Sequence, residues 1–146
     1  HRIVSSFNIK PRIALLSYSN FGSNIDGETQ AVIDATRMLH EQHPEMIVDG
    51  DIQANVALRS DILKENYPFS PLTKHGGANT FVFPNLMASN VAYKLMSEMG
   101  GAEVIGPILL GMRKPVHILQ LGSSVRDIVN ITSIAVVDAQ TKEGRK

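Results

Sequence analysis

Arg12-Ile13-Ala14-Leu15-Leu16-Ser17-Tyr18-Ser19-Asn20-Phe21-Gly22-Ser23 begins as a short apolar run and ends in small polar residues around a glycine. A run of this length, closed by turn-forming residues, reads as a buried strand followed by a loop. Strands buried on both faces belong to sheets covered by helices on both sides. Helices should therefore alternate with further strands downstream.

They do. From Glu28 to about His43, Ala31, Val32, Ala35, Met38 and Leu39 share one helical face. Met46-Ile47-Val48 is a second short strand running into Asp49-Gly50. Asp51 to Asn66 reads as helix or broken helix, stopped by Pro68. Ser70 to Asn79 reads as a loop marked by Pro71 and Gly76-Gly77, and Thr80-Phe81-Val82-Phe83 as a third strand. After Pro84, Asn85 suits a helix N-cap, because its side-chain oxygen can accept from a free helical N–H. The helix it opens places Ala88, Val91, Ala92, Leu95 and Met99 on one face and stops at Gly100-Gly101. Glu103 to Leu110 and Val116 to Leu119 are two more apolar runs. The second is β-like and leads through Gly122-Ser123 into a last helix beginning near Ser124. The pattern predicts an α/β fold: a three-layer αβα domain with a mostly parallel sheet over residues 1–146. Residues 1–11 read as the end of a preceding helix and linker in a longer polypeptide, and residues 141–146 as a frayed tail.

Composition narrows the function. The 146 residues carry 14 Lys and Arg against 14 Asp and Glu, a formal net charge of zero. Nucleic-acid binding, which relies on an excess of cations facing phosphates, is not expected. No apolar run approaches the roughly 18 residues needed to span a bilayer. Neither a membrane nor a secretory signal is therefore expected. With no Cys there is no disulfide framework, thiolate metal site or Cys nucleophile, which fits a cytoplasmic location.

In covered sheets ligands sit beyond the carboxyl ends of the strands. That directs attention to the loops starting at Ser17, Asp49, Pro84 and Gln120. Ser17, Ser19, Asn20, Gly22 and Ser23 could aim N–H and O–H donors at an anion, or serve their own turn. The loop has neither the Lys of a phosphate-binding P-loop nor a dinucleotide glycine spacing. Ser124-Val125-Arg126-Asp127 fits a capping box, in which Asp127 reaches back to the helix start. Gly122-Ser123-Ser124 could also present N–H groups to a phosphate there, with Asp127 beside it. His40 and His43 lack a third metal ligand at a convincing spacing, so no metal site is expected. Asp49 and Asp51, flanking a Gly after a strand, are expected to serve a turn rather than act as an acid–base pair.

Several of these pieces occur in order in the phosphate acetyltransferases, which move acetyl groups between coenzyme A and phosphate. Ser17-Tyr18-Ser19-Asn20-Phe21-Gly22-Ser23 resembles that family's Ser-Phe-Ser-Thr-Lys-Gly-Ser. Asp49-Gly50-Asp51-Ile52-Gln53 resembles its Asp-Gly-Glu-Leu-Gln. Phe83-Pro84-Asn85-Leu86, Asn90 and Tyr93-Lys94-Leu95 resemble Phe-Pro-Asp-Leu, Asn and Tyr-Lys-Leu. Ile105-Gly106-Pro107-Ile108-Leu109 and Lys114-Pro115-Val116 also match. The similarity covers nearly everything from Arg12 to Gln140 and implies an αβα fold related to isocitrate and isopropylmalate dehydrogenases.

The departures fall where the chemistry lies. The Lys of the first loop is Phe21, an Arg after Tyr-Lys-Leu is Glu98, and the family's Ser-Arg is Gln120-Leu121. Losing cations from an anion site weakens charge-assisted contacts, so no catalytic residue is assigned. This combination resembles the phosphotransacetylase-like C-terminal region of the large bacterial NADP-dependent malic enzymes. That resemblance implies a regulatory and oligomerisation role and an acetyl-CoA effector. It implies at least a homodimer, and an N-terminal part that oxidatively decarboxylates malate with NADP and Mg or Mn. Within these residues it implies no cofactor. Ligand contacts are expected at Ser17, Ser19, Asn20, Gly22, Ser23, Asn85, Lys94, Gly122, Ser123, Ser124, Arg126 and Asp127. An active phosphate acetyl- or butyryltransferase is the alternative.

Overall fold

The computed structural model describes residues 1–101 and 104–143. Contacts divide the chain into two compact units, His1–Tyr93 and Lys94–Lys146.

In the first unit, α1 (Arg2–Ser6) precedes β1 (Arg12–Leu16), α2 (Gly27–Gln42), β2 (Ile47–Ile52), α3 (Ala54–Leu58), α4 (Ser60–Asn66), α5 (Pro71–Lys74) and β3 (Thr80–Val82). The three strands are parallel in the order β2-β1-β3. Central β1 alternates its apolar side chains between two cores. Ile13 and Leu15 join Val48 on one face, packed against Val32, Ala35 and Leu39 of α2. Ala14 and Leu16 join Ile52, Val56, Ala57, Leu63 and Leu72 on the other, under α3 to α5. The three-layer reading therefore holds. Full burial of side chains such as Leu63 and Leu72 is worth about 1.5–3 kcal/mol each.

The sequence expectations fail locally for identifiable reasons. Met38, placed on the core face of α2, is half exposed. Residues 70–79 are not all loop, because Ser70 accepts from Leu72 N and starts α5 at Pro71. Asp49 and Asp51 do not form a turn. Strand β2 continues through both to Ile52, and each is buried. Leu15 pairs with Gly50 but Leu16 with Ile52, so Asp51 is an extra residue, a bulge in the ladder. Val48 and Ile52 have the same strand parity yet lie in opposite cores, which this extra residue explains.

Strands β1 and β2 approach closely at Gly50. A Cβ there would lie 2.6 Å from the Leu15 carbonyl oxygen and 3.1 Å from Thr36 Oγ1.

Helix α6 (Leu86–Met99) crosses the division between units, and none of its residues is buried. The second unit ends in α7 (Val125–Glu143). Helix therefore extends into the stretch expected to fray, and residues 144–146 lie outside the described residues. The apolar runs form no strand: residues 104–110 and 116–119 have no regular secondary structure, and Glu103 lies outside the described residues. Strand geometry requires a partner for its N–H and C=O groups. Among the described residues all strand pairing is within β1 to β3. Pro107 and Pro115, which lack an N–H, also interrupt this stretch.

Gly50→Ala should destabilise the fold by about 1–3 kcal/mol through overpacking. Urea unfolding would measure it as a lower midpoint with an unchanged slope. A midpoint equal to that of the unsubstituted chain would show that the two strands are not in close contact.

Candidate functional site

The loop after β1 folds onto the exit of β2. Asp51, 0% exposed, accepts from Gly22 N at 2.8 Å through Oδ1 and from Ser17 Oγ at 3.1 Å through Oδ2. Its carbonyl accepts from Phe21 N at 2.6 Å. Gln53 adds two ties, its N–H donating to Asn20 Oδ1 and its Nε2 to the Tyr18 carbonyl. The hydroxyls serve the loop itself: Ser17 Oγ accepts from Ser19 N, Ser23 Oγ from Asn20 N, and Ser19 Oγ from Asn24 N. Ser17, Ser19, Asn20, Gly22 and Ser23 are thus brought together around Asp51. Sequence reasoning missed Asp51 and Gln53, although the Asp49-Gly50-Asp51 run was the available signal.

Phe21 stands at a left-handed φ of 49°, uncommon for a bulky residue. Its ring packs against Tyr67 and Phe69, with centroids 4.8 and 5.0 Å away, and borders the α3–α5 core. Apolar packing compensates the backbone geometry.

Beyond the loop, Asp26 caps α2 by accepting from Glu28 N and Thr29 N, while Thr29 Oγ1 accepts from Asp26 N. The Tyr18 hydroxyl also donates to Asp26. That bond, followed by those from the helix start, holds the Asp26 carboxyl below its ordinary pKa. The β2-β1-β3 order places a topological switch point between β1 and β3, where open α/β sheets form a ligand crevice. An open, mainly apolar groove of about 490 Å³ lies there, lined by Leu15, Ala31, Val32 and Val82, with Glu28 and Asn85 as polar lining. Asn85 caps α6 as expected, its Oδ1 accepting from Ala88 N at 2.9 Å.

In the second unit, Lys94 lies on α6. A turn over residues 120–123 precedes α7, with Ser123 N and Oγ both donating to the Gln120 carbonyl. Gly122 takes a φ of +90°, a conformation that favours glycine. Ser124 and Asp127 form the expected capping box: Ser124 N and Oγ donate to Asp127 Oδ2, and Asp127 N donates to Ser124 Oγ. The Ser124 side-chain bond, then its backbone bond, holds the Asp127 carboxyl below its ordinary pKa. Arg126 lies in the first turn of α7, and Leu121 before it is fully exposed.

The candidate metal residues have other partners. His40 Nε2 lies 2.8 Å from the Val48 carbonyl, which only accepts, so this nitrogen carries the proton. His43 faces Glu45. Among the described residues no cluster of three or more His, Cys, Asp or Glu could hold a metal ion. No helix of the described chain is long and apolar enough to cross a membrane.

A family model described as phosphate acetyl/butaryl transferase matches residues 2–136. The chain belongs to that family. It is 41% identical over 140 residues to an NADP-dependent malic enzyme of Escherichia coli, covering 95% of this chain and 18% of the enzyme. It is 39% identical over 138 residues to a phosphate acetyltransferase of Nitratidesulfovibrio vulgaris, covering 94% and 19%. A phosphotransacetylase structure from Streptococcus pyogenes superposes with a TM-score of 0.87 at 36% identity, covering 96% of this chain and 42% of that one. The chain thus spans under a fifth of those two curated relatives and under half of the solved one.

Asp49 gives this region a pH signature. Burial pushes its carboxyl above the ordinary value, while bonds from Ser70 and Gly50 N and the nearby His40 oppose the shift. A carboxyl whose folded pKa is raised contributes stability below its unfolded pKa, about 3.9, and loses that contribution as pH rises through the folded value. Stability measured from pH 3.5 to 7 should therefore rise in Asp49→Asn relative to the unsubstituted chain as pH increases. A difference that stays flat or falls would contradict the burial assignment.

Proposed function

We propose that the chain is a regulatory and oligomerisation domain of an NADP-dependent malic enzyme, that it senses acetyl-CoA, and that it has no transferase activity of its own. NADP, the divalent metal and malate oxidation belong, in this reading, to another part of the same polypeptide. Similarity alone does not favour it, since malic enzymes and acetyltransferases match about equally well. The observation that carries it is the environment of Phe21. Where the family resemblance puts a Lys, this chain has an aromatic ring packed against Tyr67 and Phe69. Glu98 and the exposed Leu121 stand at the other two cationic positions. A phosphoryl clamp needs charge-assisted donors, and these side chains supply none.

In this reading acetyl-CoA meets the first unit at the Ser17–Ser23 loop and Asn85, and the neighbouring groove gives apolar room for its uncharged arm. Lys94, Gly122, Ser123, Ser124, Arg126 and Asp127 are proposed independently as contacts of the second unit, where Lys94 and Arg126 supply positive charge. Met87, Val91, Leu95 and Met99, exposed at four-residue steps on α6, suit a face covered on self-association.

The polypeptide that carries these residues should form no acetyl-CoA from acetyl phosphate and coenzyme A above background, while acetyl-CoA inhibits its oxidation of malate. Arg126→Ala and Ser19→Ala should each raise the half-inhibitory concentration several-fold with kcat for malate unchanged. Light scattering should give at least a dimer. Saturable acetyl-CoA formation would reinstate the transferase alternative, and inhibition unaltered in both variants would remove the proposed contacts.

A further inference from the structure

Most amide groups of the loop after β1 are already committed. Ser17 N bonds to the Ile52 carbonyl and Ser23 N to that of Asn20, while Ser19 N, Asn20 N and Asn24 N end on the loop's own hydroxyls. Two more, Phe21 N and Gly22 N, lie in consecutive left-handed residues with φ of 49° and 78°, and both donate to Asp51, the first to its main-chain carbonyl and the second to its carboxylate. Gly22 N meets one carboxylate oxygen, and the Ser17 hydroxyl meets the other. A Ser- and Gly-containing turn whose N–H and O–H donors close around two oxygens is the arrangement with which proteins hold phosphate or carboxylate ligands. Here the anion comes from the chain, supplied by the bulged residue of the adjacent strand.

We propose that the Ser17–Ser23 loop is an oxyanion site whose guest is the chain's own Asp51 carboxylate, so that an external phosphate or carboxylate binds there only in competition with Asp51. The donors that meet the carboxylate are neutral, and Phe21 fills the place of a cation with an aromatic ring. A second anion brought to the loop would therefore meet like charge at short range and find its donors taken. Substituting Asp51 removes both obstacles. The proposal rests on the effector reading only for which natural oxyanion the loop meets. For acetyl-CoA, the competition would make Asp51 a latch that sets the concentration at which the effector engages.

Calorimetric titration with inorganic phosphate, at constant ionic strength, tests this in the longest natural polypeptide that carries these residues. Asp51→Gly, which vacates the volume of the carboxylate, should bind phosphate at least tenfold more tightly than the unsubstituted protein. Asp51→Asn, which keeps the shape but loses the charge, should show a smaller gain. Ser17→Ala in the Asp51→Gly background should cancel the gain, since one donor of the site is then missing. Phosphate affinity no greater in either variant, or a gain that survives Ser17→Ala, would overturn the proposal. If Asp51→Gly unfolds at working temperature, acetate and phosphate should raise its Tm saturably while chloride at equal ionic strength does not. Equal effects of chloride and acetate would contradict an oxyanion cavity. The effector reading fails by a different result: malate oxidation by the unsubstituted enzyme that acetyl-CoA leaves unchanged.

Discussion

The bulge at Asp51 is the constraint on which the rest of the first unit depends. One extra residue in β2 moves Ile52 into the core opposite Val48, where it joins Leu16 under α3 to α5. The same irregularity leaves Asp51 fully buried at the strand exit, where its carboxylate meets Gly22 N and Ser17 Oγ. Burying a carboxylate is costly unless it is hydrogen-bonded, and bonds to charged groups contribute about 1.5–3 kcal/mol each. The loop's conformation and the strand's irregularity therefore stabilise one another. The absence of a Cβ at Gly50 permits both, because β1 passes too close for any side chain.

This arrangement is built on the family frame. The fold retains a strand-end loop and a switch-point groove, features with which α/β proteins build ligand sites. Within that frame the loop turns its donors inward, and Phe21 is drawn toward Tyr67 and Phe69. A backbone scaffold tolerates such replacement because its stability resides in the two cores, whereas activity resides in a few side chains placed upon it.

Much of the fold was legible in the sequence because it rests on local signals. The apolar runs of β1, β2 and β3, the Asn85 cap and the Ser124–Asp127 box are short-range patterns that tertiary contacts did not override. Other features depend on distant partners. Asp49-Gly50-Asp51 has the composition of a turn, and only pairing with β1 makes it strand. The runs over residues 104–110 and 116–119 have strand-like composition, but strands need partners, and the described second unit has none to offer. The candidate loop was found from its small polar residues. The group that organises it was not, because nothing in the sequence ties the Asp49-Gly50-Asp51 run to a loop 29 positions away.

Native-state hydrogen exchange at the Phe21 and Gly22 amides tests most directly whether this loop is fastened from within. Fastening by Asp51 predicts that both amides exchange slowly, with protection close to that of the β1 ladder, and that Asp51→Asn selectively accelerates Gly22. Exchange of both amides at the rate of an unstructured loop would contradict it, as would Gly22 protection indifferent to the loss of the Asp51 charge.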